Sequence, residues 1–247
     1  MSDETPQQLE LADILTLLAT GEIDLQGTMP WSSNYTLLVT VEHENVKGLA
    51  VYKPRRGERP LWDFPRGTLC QRETAAYLLS AALGWNLVPP TVLRDGPYGA
   101  GSVQLFINAD QDAHLLTMQE EGGYDDALRR LAVFDIVANN ADRKSGHCLK
   151  GSDGRLWAID HGICFHAEYK LRTVLWDYAG ERIPDDIVED LCSLQERMQR
   201  RDYELRILES LLADDEVRAL ERRLGRLLQS GRFPDPRGGR NMPWPPI

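Results

Sequence analysis

Near Asp110 the hydrophobic pattern of the chain changes period, and this change limits the available folds more than any single motif does. Before it, β-rich runs dominate. "YTLLVTVE" and "KGLAVYKP", separated by the polar "HENV", predict a hairpin whose second strand ends at Lys53 and Pro54. "LVPPTVLR" and "GSVQLFI", joined by the glycine-rich "DGPYGAG", predict a second strand pair. Two helices are expected among them. One runs through "QQLELADILTLLAT", with Leu9, Ile14, Leu17 and Leu18 at helical spacing and Gly21 as its stop. The other is "TLCQRETAAYLLSAALGW", with Thr68 as cap, Glu73 in its first turns and Gly84 near its end.

After Asp110 the spacing becomes helical. "DALRRLAVFDIVANN", "PDDIVEDLCSLQERMQRR", "YELRILESLLA" and "DDEVRALERRLGRLLQS" read as amphipathic helices, interrupted by one short strand, "RLWAID". The expectation is an α+β chain of two lobes: a small β-rich N-lobe over residues 1–108, a mainly helical C-lobe over 109–232, and an irregular tail over 233–247. At 247 residues this is one functional unit rather than several.

Composition narrows the partners. A net charge of −10 opposes nonspecific attraction to nucleic acid or an anionic bilayer, and no apolar run is long enough to span a membrane. Neither nucleic acid nor integral membrane association is expected. The polar, acidic start "MSDETPQQLE" lacks the features of a secretion signal, and Cys70, Cys148, Cys164 and Cys192 form no CxxC pair, so a cytoplasmic protein with reduced thiols is expected.

The order of charged residues then points to chemistry. A lysine closes the second strand (Lys53), a glutamate sits on the next helix (Glu73), and two aspartates (Asp142, Asp160) end two apolar runs of the helical half. Transfer of a phosphoryl group from ATP needs a cation against the phosphates, a carboxylate to hold that cation, oxygen ligands for Mg²⁺, and a carboxylate to orient the acceptor hydroxyl. Each residue alone has an ordinary reading as a solvated charge, a surface glutamate or a turn former. Their order supports a kinase-like arrangement with ATP and a hydroxyl-bearing acceptor as partners.

The stretches "NNADRKSGHCL" and "AIDHGICF" resemble the phosphatidylinositol 3- and 4-kinase superfamily, in particular its type II phosphatidylinositol 4-kinase and HipA-like relatives. The resemblance implies a two-lobed protein-kinase-like fold and an ATP-dependent kinase. It implies Asp142 as the catalytic aspartate, Asp160 of "DHG" as the Mg²⁺ ligand, and Lys53 as the nucleotide lysine partnered by Glu73. It also places a phosphate-covering turn at "GTMPWSSNYTLL", with Ser32 and Ser33 as donors, and an adenine-receiving connector near Gln104, Leu105 and Phe106. Five residues after Asp142 the family usually carries asparagine, and this chain has His147. An imidazole suits Mn²⁺ better than Mg²⁺, so His147 is a candidate metal ligand and the sharpest departure from the pattern.

The acceptor stays open: an inositol phosphate, a phosphoinositide or another small molecule, or a protein Ser/Thr hydroxyl. A nucleotide-binding pseudokinase that serves as an interaction module is the reading from another class. Arg55, Arg56 and Arg59 follow Lys53 and read as a solvated loop or an anion-facing cluster.

Overall fold

The computed structural model describes residues 9–29, 34–110 and 112–246. The chain forms two compact units: residues 1–59 with 90–106, and residues 60–89 with 107–247.

The first unit is one helix and an antiparallel sheet. Helix α1 (Leu11–Thr20) precedes strands β1 (Glu22–Thr28), β2 (Leu37–His43), β3 (Val46–Pro54), β4 (Thr91–Gly96) and β5 (Gly99–Leu105), paired in the order β1-β2-β3-β5-β4. Alternation along β2 sends Leu37, Val39 and Val41 to the face where Leu17 and Leu18 of α1 pack with Ala50, Tyr52 and Val103. Gly21 ends α1 as expected: its amide bonds to Leu17 O at 2.9 Å. A Cβ there would lie 2.6 Å from both Leu17 O and Val41 Cγ1. Arg94 of β4 donates to the Leu18 and Gly21 carbonyls at 3.0 and 2.8 Å, satisfying the orphan end of the helix. The expected "HENV" connection contracts to Glu44 and Asn45, because His43 and Val46 already pair across the hairpin.

The second unit holds helices α2 (Leu69–Ala82), α3 (Leu115–Glu121), α4 (Asp125–Ala138), α5 (Asp185–Arg200), α6 (Tyr203–Ser210) and α7 (Asp214–Ser230), with a small hairpin of β6 (Cys148–Lys150) and β7 (Leu156–Ala158). Helix α2 is buried almost all round and packs on α6, while α7 packs on α4 and α5. Its buried Arg72 pairs with Glu216 of α7 at 2.7 Å and donates to Cys164 O at 2.7 Å, so the charge entering the core is matched there. The helix carrying Glu73 is thus grouped with the helical unit, whereas the sequence reading places it in a lobe ending at residue 108.

Thr68 precedes α2 but does not cap it. Its hydroxyl donates to Pro65 O at 2.8 Å and accepts from Arg72 Nε at 3.3 Å. Strands β1 and β6 and helix α3 are additions to the sequence reading. Three cysteines are buried and Cys192 is exposed; all four are free thiols. Among the described residues no helix is long and apolar enough to cross a membrane.

Candidate active site

Helix α4 ends where the site begins. Asn139 takes a left-handed conformation (φ 53°), and the turn that follows is tied back to the helix: the Asn140 amide donates to Asp135 O at 2.9 Å and its side-chain amide to Asp135 Oδ1 at 2.9 Å. Asn140 Oδ1 in turn accepts the Asp142 amide at 3.0 Å, which fixes the backbone that carries the Asp142 carboxylate.

Arg143 points the other way, into the core. Both it and Asp135 are 0% exposed, and they form an ion pair of 3.1 Å reinforced by Arg143 Nε. Burial works against the guanidinium charge, but the Asp135 carboxylate outweighs it, so the Arg143 pKa lies above its ordinary value. The remaining donors reach Ile159 O at 3.0 Å, His147 O at 3.3 Å and His161 Nε2 at 2.6 Å. Because arginine only donates, His161 Nε2 accepts and its proton sits on Nδ1. Thr173 Oγ1 completes the Asp135 shell at 3.1 Å. The nearby thiols of Cys148 and Cys164 are both pushed up by burial, Cys148 to about 12, and stay protonated at neutral pH.

The β6–β7 hairpin sets the second half of the site. Its register pairs Cys148 with Ala158, and beyond the open end the Ile159 amide bonds to His147 O at 3.0 Å. This brings His147 Nε2 to 3.4 Å from Asp160 Oδ2. The Lys144 amide points at His147 Nδ1 at 3.5 Å, which leaves Nε2 facing the carboxylate. Asp160 itself is left-handed (φ 63°), a conformation tolerated by aspartate, and its side chain is 43% exposed. The next amide, that of His161, donates to Glu73 Oε2 at 3.0 Å, so buried Glu73 holds the "DHG" segment from α2.

Asp142 and Asp160 are near enough to act on each other electrostatically. Partial burial raises the Asp142 pKa. Lys144, 3.1 Å from its Oδ2, opposes the rise, Asp160 adds to it, and Arg240 lowers it slightly. Asp160, His147 and Asp142 offer two carboxylates and an imidazole at a solvent-reaching edge. Among the described residues no three such side chains stand close enough together to hold a metal ion by themselves, and the pair in contact is His147 and Asp160. A carboxylate with an imidazole beside it fits Mg²⁺ or Mn²⁺ that takes most of its ligands from phosphate oxygens and water.

The second unit therefore holds four of the candidates together: Asp142, His147, Asp160 and Glu73. Lys53, Gln104 and Phe106 belong to the first unit. Lys53 is half-buried on β3, opposite Ser102 of β5. Gln104 is buried with its side chain donating to Thr91 Oγ1 at 2.8 Å, and the Leu105 and Phe106 amides already bond to Pro90 O and Leu49 O. Ser32 and Ser33 lie outside the described residues. Of the basic cluster, Arg56 stacks over the Tyr98 ring at 4.7 Å. Sequence reading missed Asp135 and Asn140, although an acid within the apolar run "AVFDIVA" is a signal in itself.

No protein-family model matches the chain. Solved structures that resemble it include the Helicobacter pylori proinflammatory kinase CtkA and hydra Fam20 with sugar. CtkA has a TM-score of 0.51 at 14% identity, covering 87% of this chain and 94% of that one. Fam20 has a TM-score of 0.52 at 15% identity, covering 92% and 89%. At such identities the likeness is one of fold, and the fold is kinase-like, with a β-sheet N-terminal region and a helical C-terminal region. Phosphatidylinositol 4-kinase gamma 4 of Oryza sativa subsp. japonica is 32% identical over 67% of the chain, which spans 33% of that protein. Phosphatidylinositol 4-kinase gamma 3 of Arabidopsis thaliana is 29% identical over 50% of the chain, which spans 27% of it. Protein Rv2133c of Mycobacterium tuberculosis is 42% identical over 93% of this chain and 94% of its own length. Identity of that level across nearly the whole of both proteins means that the chain belongs to the family of Protein Rv2133c.

Proposed function

We propose that the chain is an ATP-dependent phosphotransferase acting on a hydroxyl acceptor, and that it falls in the phosphatidylinositol 4-kinase-like branch. The observation that carries the reading is the joining of two carboxylates, Asp142 and Asp160, by one buried arginine. Arg143 adjoins Asp142 in sequence and bonds to Ile159 O, next to Asp160. The kinase-like fold and the similarity to the two plant phosphatidylinositol 4-kinases support it.

In this reading Asp142 orients the acceptor and takes its proton. The acceptor O–H bond breaks toward an Asp142 oxygen, the freed oxygen forms a bond to the γ-phosphorus, and the bridging P–O bond breaks to leave ADP. Asp160, with His147 beside it, would hold Mg²⁺ or Mn²⁺, which supplies charge neutralisation at the phosphates. Lys53 adds a further positive charge there, with Glu73 assigned to hold it, and Ser32, Ser33 and the connector at Gln104 and Phe106 are assigned to the nucleotide. Arg143 keeps the two aspartates in register, so most of the rate gain is positioning.

A small acceptor fits better than a peptide. After Gly162 the chain returns to the catalytic loop by Arg172, whose carbonyl accepts the Arg143 amide at 2.9 Å, and this leaves little room for a long peptide-binding segment. An inositol phosphate, a phosphoinositide or a comparable small molecule is therefore the favoured substrate class over a protein Ser/Thr hydroxyl.

The test is transfer of label from γ-labelled ATP to a small-molecule and lipid panel by wild type, Asp142→Asn and Asp160→Asn. Label appearing only with wild type is the expected result; equal transfer by all three overturns the assignment. One observation favours a second reading, a nucleotide-binding interaction module: His147 faces Asp160 at 3.4 Å, on the side where a metal ligand is needed. Thermal stabilisation by ATP with Mg²⁺ or Mn²⁺, in the absence of any turnover, would select it.

A further inference from the structure

After α7 the chain runs back across the second unit. Gly231 turns out of the helix in a left-handed conformation (φ 60°), and Phe233 is buried beside Tyr178 with ring centroids 5.5 Å apart. Its amide bonds to Glu181 O at 3.0 Å, while its carbonyl accepts the Gly180 amide at 3.0 Å. Beyond this anchor no helix or ladder forms among the described residues, yet the segment makes a series of specific contacts. Arg237 lies over the Tyr169 ring at 4.0 Å. Asn241 O accepts two donors, the Thr173 amide at 3.1 Å and Trp176 Nε1 at 2.9 Å. Pro246 O accepts the Ser145 amide at 2.9 Å.

Two of those donors belong to the site. Ser145 opens the 3₁₀ turn Ser145–His147, between Asp142 and the histidine that faces Asp160. Thr173 bridges to Arg143 in the backbone and bonds to Asp135 through its hydroxyl. The segment thus closes on the outer side of the same loop that Arg143 holds from inside, and its Arg240 is near enough to Asp142 to favour the ionised carboxylate.

We propose that residues 234–246 are a positioning brace for the catalytic loop, fastening Ser145 and Thr173 through the carbonyls of Pro246 and Asn241. A loop of Gly and polar residues such as "DRKSGH" has few apolar contacts to fix it, so backbone hydrogen bonds from a second segment decide how long its reactive geometry persists. The catalytic consequence rests on the phosphotransferase reading above; the mechanical one does not.

Hydrogen exchange and turnover test the two separately, on a chain ending at Phe233 and on Trp176→Phe, which removes one donor to Asn241. In the shortened chain, amide exchange over residues 143–147 and at Thr173 should rise by about tenfold while α5 is unchanged. In Trp176→Phe the same amides should rise by about threefold. kcat should fall in both, with KM for ATP within about twofold of wild type. Unchanged exchange in the shortened chain overturns the brace; if that chain does not fold, unchanged exchange in Trp176→Phe does so. Loss of protection with kcat intact overturns its catalytic role. A wild-type chain that turns nothing over, while exchange behaves as expected, sinks the phosphotransferase reading and upholds the brace.

Discussion

Arg143 and Asp135 form an ion pair with both side chains fully buried, and the same guanidinium donates to the carbonyl of Ile159 at 3.0 Å. One side chain therefore neutralises a core carboxylate and sets the spacing between the loop that carries Asp142 and the residue before Asp160.

Removing one partner leaves the other charge buried without compensation. Arg143→Met or Asp135→Ala should lower the unfolding free energy by about 3–5 kcal/mol. Urea denaturation measures this, and a loss below about 1 kcal/mol would mean that the pair is not structurally important.

Asp142 and Asp160 should fail differently. Asp142→Asn is expected to lower kcat by about 10²-fold or more with nucleotide affinity nearly unchanged, because it removes the proton acceptor. Asp160→Asn should weaken metal-dependent nucleotide binding as well. Calorimetric titration with a non-hydrolysable ATP analogue, beside steady-state kinetics, separates the two.

The pH profile follows from the environment of Asp142. Burial raises its pKa, and the facing charges of Lys144, Asp160 and Arg240 modify that rise. The acid limb of kcat/KM should therefore lie at higher pH than for an ordinary aspartate. Lys144→Met removes the main opposing charge and should move the limb higher still; a shift to lower pH would contradict the assignment. The ionised carboxylate is disfavoured by the fold, so Asp142 also costs some stability at neutral pH, and that cost is relieved as pH falls through its folded pKa.

As a proposed metal ligand, His147 should govern metal choice. His147→Asn exchanges an imidazole nitrogen for an oxygen donor, and the ratio of Mn²⁺- to Mg²⁺-supported turnover should drop by about tenfold. An unchanged ratio places His147 outside the metal shell.

The β2–β3 hairpin and helices α4 to α7 were legible because burial on one face leaves a period in the sequence. Strand β1 was not: "EIDLQGT" is exposed along nearly its whole length and is held by its ladder to β2 rather than by an apolar face. Strand β6, three residues long, is too short to show alternation. Asp142 and Asp160 are proposed from local motifs. The pairing of Asp135 with Arg143, the reach of Glu73 to the His161 amide and the path of residues 234–246 depend on contacts distant in sequence, which no local pattern encodes.

The β6–β7 hairpin turns out to be a ruler. Its turn is closed by Gly151, whose amide donates to Arg155 O at 2.9 Å and where an added Cβ would stand 2.9 Å from the Trp157 ring. Side chains alternate along a strand, so gaining or losing a single residue between Gly151 and Arg155 would shift every position that follows by one place. The residue opposite His147, now Ile159, would change, and Asp160 would lose its place beside the His147 ring. A solvent-facing turn that touches no reactive group thus determines which side chain is delivered to the chemistry, and insertions there should be far less tolerated than its exposure suggests.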